Sequence, residues 1–357
     1  CYKHKFTVGQ LVKAKVLKND LSLNKDEIRD CDIADVLRVN PQLFIDDVIN
    51  TDFWKDKTGY KHNMNGSKKL KFNAIVGNPP YQVMDGGQKA SASPIYNAFV
   101  DVSKSMNPGY ITMITPAKWY TDGKGLGRFR ETMMGDHHLV SLYDFTDSRD
   151  CFPTVDIAGG VSYFLWSAMY NGKCHFTSIH NGERMSALRD LNASESFIRD
   201  INAVSIVDKV RNNSTAFYNS RVRTQKPFGL RTYVLPTETG DLTLKYNKGK
   251  GPYESSMVSI GKEMISQWKV IISCLTAEHA GQSDKEGRKK IISSLDMLEP
   301  QEICTETYMV IDSFKTECEA KNLYKYLKTQ LVRFLISQLA STQHLSKEKF
   351  AYVPLQD

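Results

Sequence analysis

Apolar positions along the chain follow two different periods. Ile95, Phe99, Val102 and Met106 are spaced by four, three and four residues, which is one face of a helix. Ser93-Pro94 ahead of them reads as a cap and first turn, and Asn107-Pro108-Gly109 closes the element. Residues 72–77 and 110–115 are compact apolar runs, each cut off by proline, and fit buried strands of a parallel sheet. The alternation continues with a helix predicted over 127–134, a strand over 139–145 and a long strand over 160–170. Asn171-Gly172 then predicts a hairpin turn into a strand at 174–179. Upstream, residues 25–39 read as helix, stopped by Asn40-Pro41, and residues 43–53 as a short strand. Residues 55–71 and 85–93 read as loops. Strand, helix and strand with tight punctuation predict an α/β layer fold whose sheet ends in an antiparallel hairpin.

The texture changes after about residue 205. Residues 211–253 are rich in Asn, Ser, Arg, Gly and Pro and show little periodicity; strands are predicted at 268–275 and 308–311 and a helix over 319–339. Residues 211–357 carry 21 Lys and Arg against 16 Asp and Glu, so most of the net charge of +7 falls there. Two domains are therefore expected, residues 1–205 and 206–357, the second of α+β type.

Composition narrows the class. The chain of 357 residues is 41% hydrophobic and 24% charged, an ordinary globular balance. No apolar run reaches the roughly 20 residues of a membrane helix, so no membrane partner is expected. The seven cysteines include no CxxC pair, which disfavours zinc ribbons and secreted disulfide frameworks and favours a reducing cytoplasm. His137-His138 has only Asp136 beside it, and no metal site is expected. The start at Cys1 and the end at Val-Pro-Leu-Gln-Asp read as cuts in a longer protein.

The sharpest chemistry lies in Asn78-Pro79-Pro80-Tyr81, directly after an apolar strand. Two prolines cannot continue a central strand or enter a helix interior, so they form a rigid exit loop. Open α/β sheets place their ligands at that carboxyl end. An amine attached to a planar base is a poor nucleophile because its lone pair is delocalised. The Asn78 side-chain carbonyl and the Pro79 backbone carbonyl can accept its two N–H hydrogens and localise that lone pair. Tyr81 offers a flat face for stacking on the base.

With its flanks, this segment resembles a known family. Phe72-Asn73-Ala74-Ile75-Val76-Gly77 followed by Asn78-Pro79-Pro80-Tyr81 is similar to motif IV of amino-group methyltransferases, and most like the gamma class of adenine-N6 DNA methyltransferases. Residues 108–119, from Pro108 to Trp119, look like the motif VI strand of that class, and residues 152–161, from Phe152 to Val161, like motif VIII. Residues 324–357 resemble the C-terminal part of the methylase portion of bacterial type II (type IIG-like) restriction–modification enzymes.

The resemblance implies a Rossmann-like sheet and S-adenosylmethionine as cofactor. It implies double-stranded DNA as partner, with one adenine flipped out of the stack. Asn78, Pro79, Pro80 and Tyr81 would form the catalytic loop, Tyr81 and Phe152 would stack on the base, and Asp52 and Phe53 would contact the cofactor. The family's motif I, a Gly-rich loop ahead of Asp52, has no counterpart here, since Gly9 is the only glycine among residues 1–50. The sheet is therefore expected to be incomplete on its N-terminal side and to hold the cofactor weakly. Residues 206–357 would be a target-recognition domain, with Arg221, Arg223, Lys226, Arg231, Lys245, Lys248 and Lys250 as phosphate contacts interleaved with aromatics. A bacterial cytoplasmic setting follows, with a nuclease domain or subunit outside this chain left open. Two alternatives also stay open: a protein-glutamine or RNA methyltransferase, and a non-enzymatic DNA-recognition fragment.

Overall fold

The computed structural model describes residues 3–50, 70–84, 92–121, 125–193, 197–223, 226–275, 290–340 and 345–356. The chain divides into two compact units, Cys1–Phe197 and Ile198–Asp357.

The first unit opens with β1 (His4–Thr7) and α1 (Val8–Lys13). Thr7 and Gln10 close α1 with a reciprocal capping box. β2 (Ile28–Cys31) pairs antiparallel with β1, where the sequence predicts helix. Asp32 accepts from the Ala34 and Asp35 amides and starts α2 (Ile33–Val39). Asn40 ends α2 and caps the next helix, α3 (Pro41–Ile49), with proline at its first turn. The strand expected over 43–53 is thus a helix over most of its length. Ile45 and Val48, three residues apart, are the buried positions of that helix.

Six strands form the central sheet. In chain order they are β3 (Ala74–Gly77), β6 (Tyr110–Pro116), β7 (Leu139–Phe145), β8 (Val161–Ser167), β9 (Cys174–His180) and β10 (Glu183–Arg189). A separate antiparallel ribbon joins β4 (Gln82–Met84) to β5 (Ala92–Pro94). The sheet order is β10-β9-β7-β8-β6-β3. β3 runs parallel to β6, and β7 parallel to β9, while β8 lies antiparallel between β6 and β7. The fold is therefore mixed α/β around a mixed sheet.

The turn at Asn171-Gly172 does connect β8 to β9, but these strands are not neighbours, because β7 lies between them. The two-residue hairpin forms instead at Asn181-Gly182, between β9 and β10. Both of its residues have positive φ, 52° and 78°, as such a turn demands.

α4 (Tyr96–Ser105) and α5 (Gly127–Met134) supply the helical layer beside the sheet. Ser93-Pro94 does not cap α4: Pro94 ends β5, and Ile95 precedes the helix without a side-chain cap. Below the sheet, Lys104 of α4 donates to Asp136 at 2.6 Å, and the Trp166 indole donates to the same carboxylate at 2.9 Å. Burial pushes the Asp136 carboxyl up, but Lys104, the His138 N–H and Trp166 together outweigh it and hold the group below its ordinary range. His138 leans on Trp166 and His137 lies outside this network, and among the described residues no group of His, Cys, Asp and Glu is arranged to hold a metal.

The second unit begins with α6 (Ile201–Asn212), capped by Asp200. One three-stranded sheet contains β11 (Leu242–Tyr246), β12 (Gly249–Tyr253) and β15 (Glu302–Cys304). Another contains β13 (Trp268–Ser273), β14 (Leu295–Leu298) and β16 (Tyr308–Phe314). The helix expected over 319–339 is two helices, α7 (Glu317–Leu327) and α8 (Gln330–Ser337). Thr329 breaks it by accepting from the Val332 amide as a new cap. The break rotates the second apolar stripe, so Leu331 is exposed while Val332, Leu335 and Ile336 are buried. No helix among the described residues is long and apolar enough to cross a membrane.

One side chain in this unit has no precedent in the sequence reading. Lys269 on β13 is fully buried, and its ammonium donates to the carbonyls of Met264, Ile265 and Glu299 at 3.2, 3.2 and 3.0 Å. It ties the turn before β13 to the turn after β14. Burial pulls its pKa down to about 8.

Candidate functional site

β3 and β6 are parallel with Ala74 opposite Tyr110 and Gly77 opposite Met113, so both leave the sheet at the same end. Asn78-Pro79-Pro80-Tyr81 is the exit of β3. Pro79 is buried, while Asn78 and Pro80 are exposed. The Asn78 side chain makes no hydrogen bond among the described residues, so its amide is free to meet a ligand. The loop is fixed from behind: the Ile95 amide donates to the Tyr81 carbonyl, and Gln82 pairs with Pro94 in the β4–β5 ribbon. The exit of β3 is thereby fastened to the start of α4.

Tyr81 is half-buried, and its hydroxyl has no hydrogen-bond partner. Burial, and then the nearby Cys151, hold its phenol above the ordinary range. Cys151 belongs to the segment after β7. There Ser148 is buried and organises the loop: its hydroxyl donates to the Val155 carbonyl at 2.9 Å and accepts from the Ile157 amide at 2.7 Å. The Phe152 amide donates to the Ser148 carbonyl at 2.7 Å, which sets the half-buried Phe152 at the sheet end where β7 stops and β8 begins. The Ala117 amide donates to the Gly160 carbonyl, joining the ends of β6 and β8. Behind the loops, Tyr96 and Trp119 pack edge-on against Phe129. Both are buried, with the Tyr96 hydroxyl and the Trp119 indole N–H unpartnered.

The structure thus gathers Asn78, Pro79, Pro80, Tyr81 and Phe152 at one end of one sheet. Asp52 and Phe53 lie outside the described residues. Sequence reasoning missed Ser148 and Cys151; the neighbouring Asp147-Ser148-Arg149 turn carries a signal only of local capping, with Asp147 accepting from the Arg149 amide.

The basic candidates all lie in the second unit. Arg223 exchanges backbone hydrogen bonds with Val310 of β16, and both Arg221 and Arg223 act on the half-buried Asp312. Lys226 takes a positive φ of 63°. Lys245 and Lys250 face each other across β11 and β12, a like-charge pair that needs compensation. Lys245 finds it in Asp296 at 2.6 Å, beneath the ring of Tyr308, and Lys250 in Glu302 at 2.6 Å. Arg231 lies 3.5 Å from Glu306. Lys248 is exposed in the β11–β12 turn. Of these cations, Arg231, Lys245 and Lys250 are tied to carboxylates of their own unit, and Lys248 stands out from the surface.

The chain is similar in part to known restriction–modification proteins. Residues 11–152 match the family model of the Eco57I restriction-modification methylase, a span that contains both the Asn78–Tyr81 loop and Phe152. The chain is also 36% identical over 107 residues to a Mycoplasma pneumoniae protein named as an uncharacterized adenine-specific methylase. That alignment covers 29% of this chain and 25% of the relative. Among solved structures it is similar to the type IIL restriction-modification enzyme MmeI in complex with DNA, at a TM-score of 0.44 and 10% identity, over 78% of this chain and 46% of MmeI. The type IIG restriction endonuclease BpuSI follows at a TM-score of 0.34, 10% identity and the same coverages. The chain spans about a quarter of the curated relative it matches and less than half of each of these structures.

Proposed function

We propose that this chain is part of a DNA adenine-N6 methyltransferase of a restriction–modification system, acting with S-adenosylmethionine on an adenine flipped out of the duplex. One observation carries the proposal: the free, exposed Asn78 amide on a rigid proline loop at the carboxyl end of a parallel strand, with Tyr81 and the Phe152 loop at the same end. The family match over residues 11–152 supports the methylase class, and the curated relative supports adenine as the base.

Asn78 Oδ1 and the Pro79 carbonyl oxygen accept the two hydrogens of the adenine amine. Tyr81 stacks on one face of the base and Phe152 closes on the other. The amine reaches these acceptors only once the base has left the stack. The cofactor supplies a methyl group already activated on a sulfonium, so the chain's residues have to position and desolvate rather than move protons. Pro79 and Pro80 keep the acceptors outward at little conformational cost. The second unit reads the DNA, with Arg221, Arg223, Lys226 and Lys248 as the better phosphate contacts, because Lys245 and Lys250 already neutralise carboxylates. A nuclease, fused or separate, completes the system in this reading.

The direct test offers the complete enzyme to which this chain would belong labelled S-adenosylmethionine with unmethylated duplex DNA, structured RNA or a glutamine-bearing peptide. Label recovered as N6-methyladenine from DNA alone is the expected outcome; label in RNA or peptide overturns the substrate. Reversing the charges of Arg221, Arg223 and Lys226 is expected to weaken binding to every duplex alike. Each lost contact flattens the salt dependence by about one unit. An unchanged slope assigns them to a solvated surface.

A further inference from the structure

Neighbouring antiparallel strands need only about two to five residues to connect them. β7 and β8 are such neighbours, yet residues 146–160 separate them. Phe152 lies on this long connection, and loops of that length in compact domains carry function. The loop begins beside β9. The Thr146 amide donates to the Ile179 carbonyl at 3.1 Å, and the Thr146 hydroxyl shares a hydrogen bond with His180 Nδ1 at 2.8 Å. β3, β6, β7 and β9 share one direction, so the turn after β9 stands at the sheet end that carries Asn78.

That turn is Asn181-Gly182. His180 is paired with Glu183 across it, which leaves the Asn181 amide outside the ladder. The amide donates instead to the Asp150 carboxylate at 2.8 Å, a hydrogen bond of the stronger, charge-assisted class. Asp150 stands just before Cys151 and Phe152, and the chain there has little freedom. Ser148–Asp150 form one 3-10 turn capped by Asp147, and the amides of Cys151 and Phe152 both donate to the Ser148 carbonyl, at 3.0 and 2.7 Å. On the far side Ser148 Oγ grips Val155 and Ile157. Gly159 and Gly160 then lead into β8 with φ of 90° and 80°, a conformation that only glycine adopts readily. A hold on Asp150 is therefore a hold on the Phe152 backbone.

We propose, on the reading of Phe152 as a stacking face for the base, that Asp150 is a positioning residue for that ring. Its bond to the β9–β10 turn sets where Phe152 stands over the sheet end. A flipped base then meets a face already in place, and binding does not have to order the loop. Asp150 is exposed, and a carboxylate at this end also repels phosphates. The two roles are separable, because asparagine keeps an oxygen facing the Asn181 amide and loses the charge.

The test compares Asp150→Ala and Asp150→Asn in the complete enzyme, on duplex DNA carrying the site it methylates. In hydrogen exchange read by mass spectrometry, Asp150→Ala is expected to speed exchange over residues 148–158 by about fivefold and to leave β6 and β8 unchanged. At saturating DNA it is expected to slow single-turnover methyl transfer by about fivefold with an unchanged Kd for DNA. Asp150→Asn is expected to stay within about twofold of wild type in both measurements. In a Phe152→Ala background, Asp150→Ala is expected to cost nothing further, because no ring is left to place. An unchanged exchange or rate in Asp150→Ala overturns the proposal. So does an equal loss in Asp150→Asn, which assigns the effect to charge, or a loss that persists undiminished in the Phe152→Ala background. Phe152→Ala turning over at the wild-type rate overturns the stacking reading itself, and this proposal with it.

Discussion

In the complete enzyme, Asn78→Ala is expected to lower methyl transfer to DNA adenine by roughly a hundredfold or more, with DNA affinity and melting temperature unchanged. The fold is indifferent because Asn78 is exposed and bonded to nothing among the described residues, so its truncation opens no cavity and strands no partner. The chemistry is not indifferent. One of two acceptors on the amine disappears, and it is the acceptor whose hydrogen bond strengthens as the nitrogen becomes tetrahedral. An interaction of that kind is worth about 3 kcal/mol, or two decades in rate. Tyr81→Phe is expected to be mild, since the ring remains and the lost hydroxyl had no partner. Tyr81→Ala is expected to be severe. Single-turnover transfer of labelled methyl separates these effects from binding, and near-normal turnover of Asn78→Ala would return the proline loop to the role of a strand terminator.

Lys269→Met is expected to destabilise the second unit by roughly 1–3 kcal/mol, the cost of leaving a buried acceptor without its donor. Three carbonyls lose their shared donor at once, and that of Met264 is buried with it. The pH dependence gives an independent signature. The folded-state pKa of Lys269 is pulled from 10.5 down to about 8, so above pH 8 the folded chain carries fewer protons than the unfolded chain at this site. Stability from this group therefore rises between pH 8 and 10.5, by up to about 3 kcal/mol. The gap between wild type and Lys269→Met should widen over that interval in urea unfolding. A constant or shrinking gap would mean that the lysine stays charged throughout, stabilised by its carbonyls.

Much of the central sheet was legible because its strands are short, apolar and closed by proline or glycine. β6, α5 and β7 form where the pattern predicts them, and the Asn78–Tyr81 loop follows a strand as required. The neighbourhood of strands was not legible. An Asn-Gly turn announces a reversal of direction, and both Asn171-Gly172 and Asn181-Gly182 deliver one. Only pairing at long range decides which reversal joins neighbours, and β7 had already claimed the edge of β8. Residues 43–53 misled because their apolar spacing fits either period, and the cap provided by Asn40 with Pro41 decided for helix. Lys269 was invisible for a different reason: a lysine reads as surface in any local window, and its burial depends on three carbonyls from segments about 30 residues apart. The basic candidates show the same limit. Sequence supplies the cations, but the carboxylates that neutralise Lys245 and Lys250 lie some 50 residues away.

The position of β8 constrains the order in which the first unit can be assembled. β6 and β7 are never neighbours; each ladder they make toward the centre of the sheet is with β8, through Phe164 opposite both Met113 and Leu142. During synthesis both strands leave the ribosome before residue 161 does, and until then each has an unpaired inner edge. The loop holding Phe152 likewise cannot close, since its far end is the start of β8. Sheet and base-stacking loop are therefore completed by the same event, the insertion of seven late residues between two waiting strands.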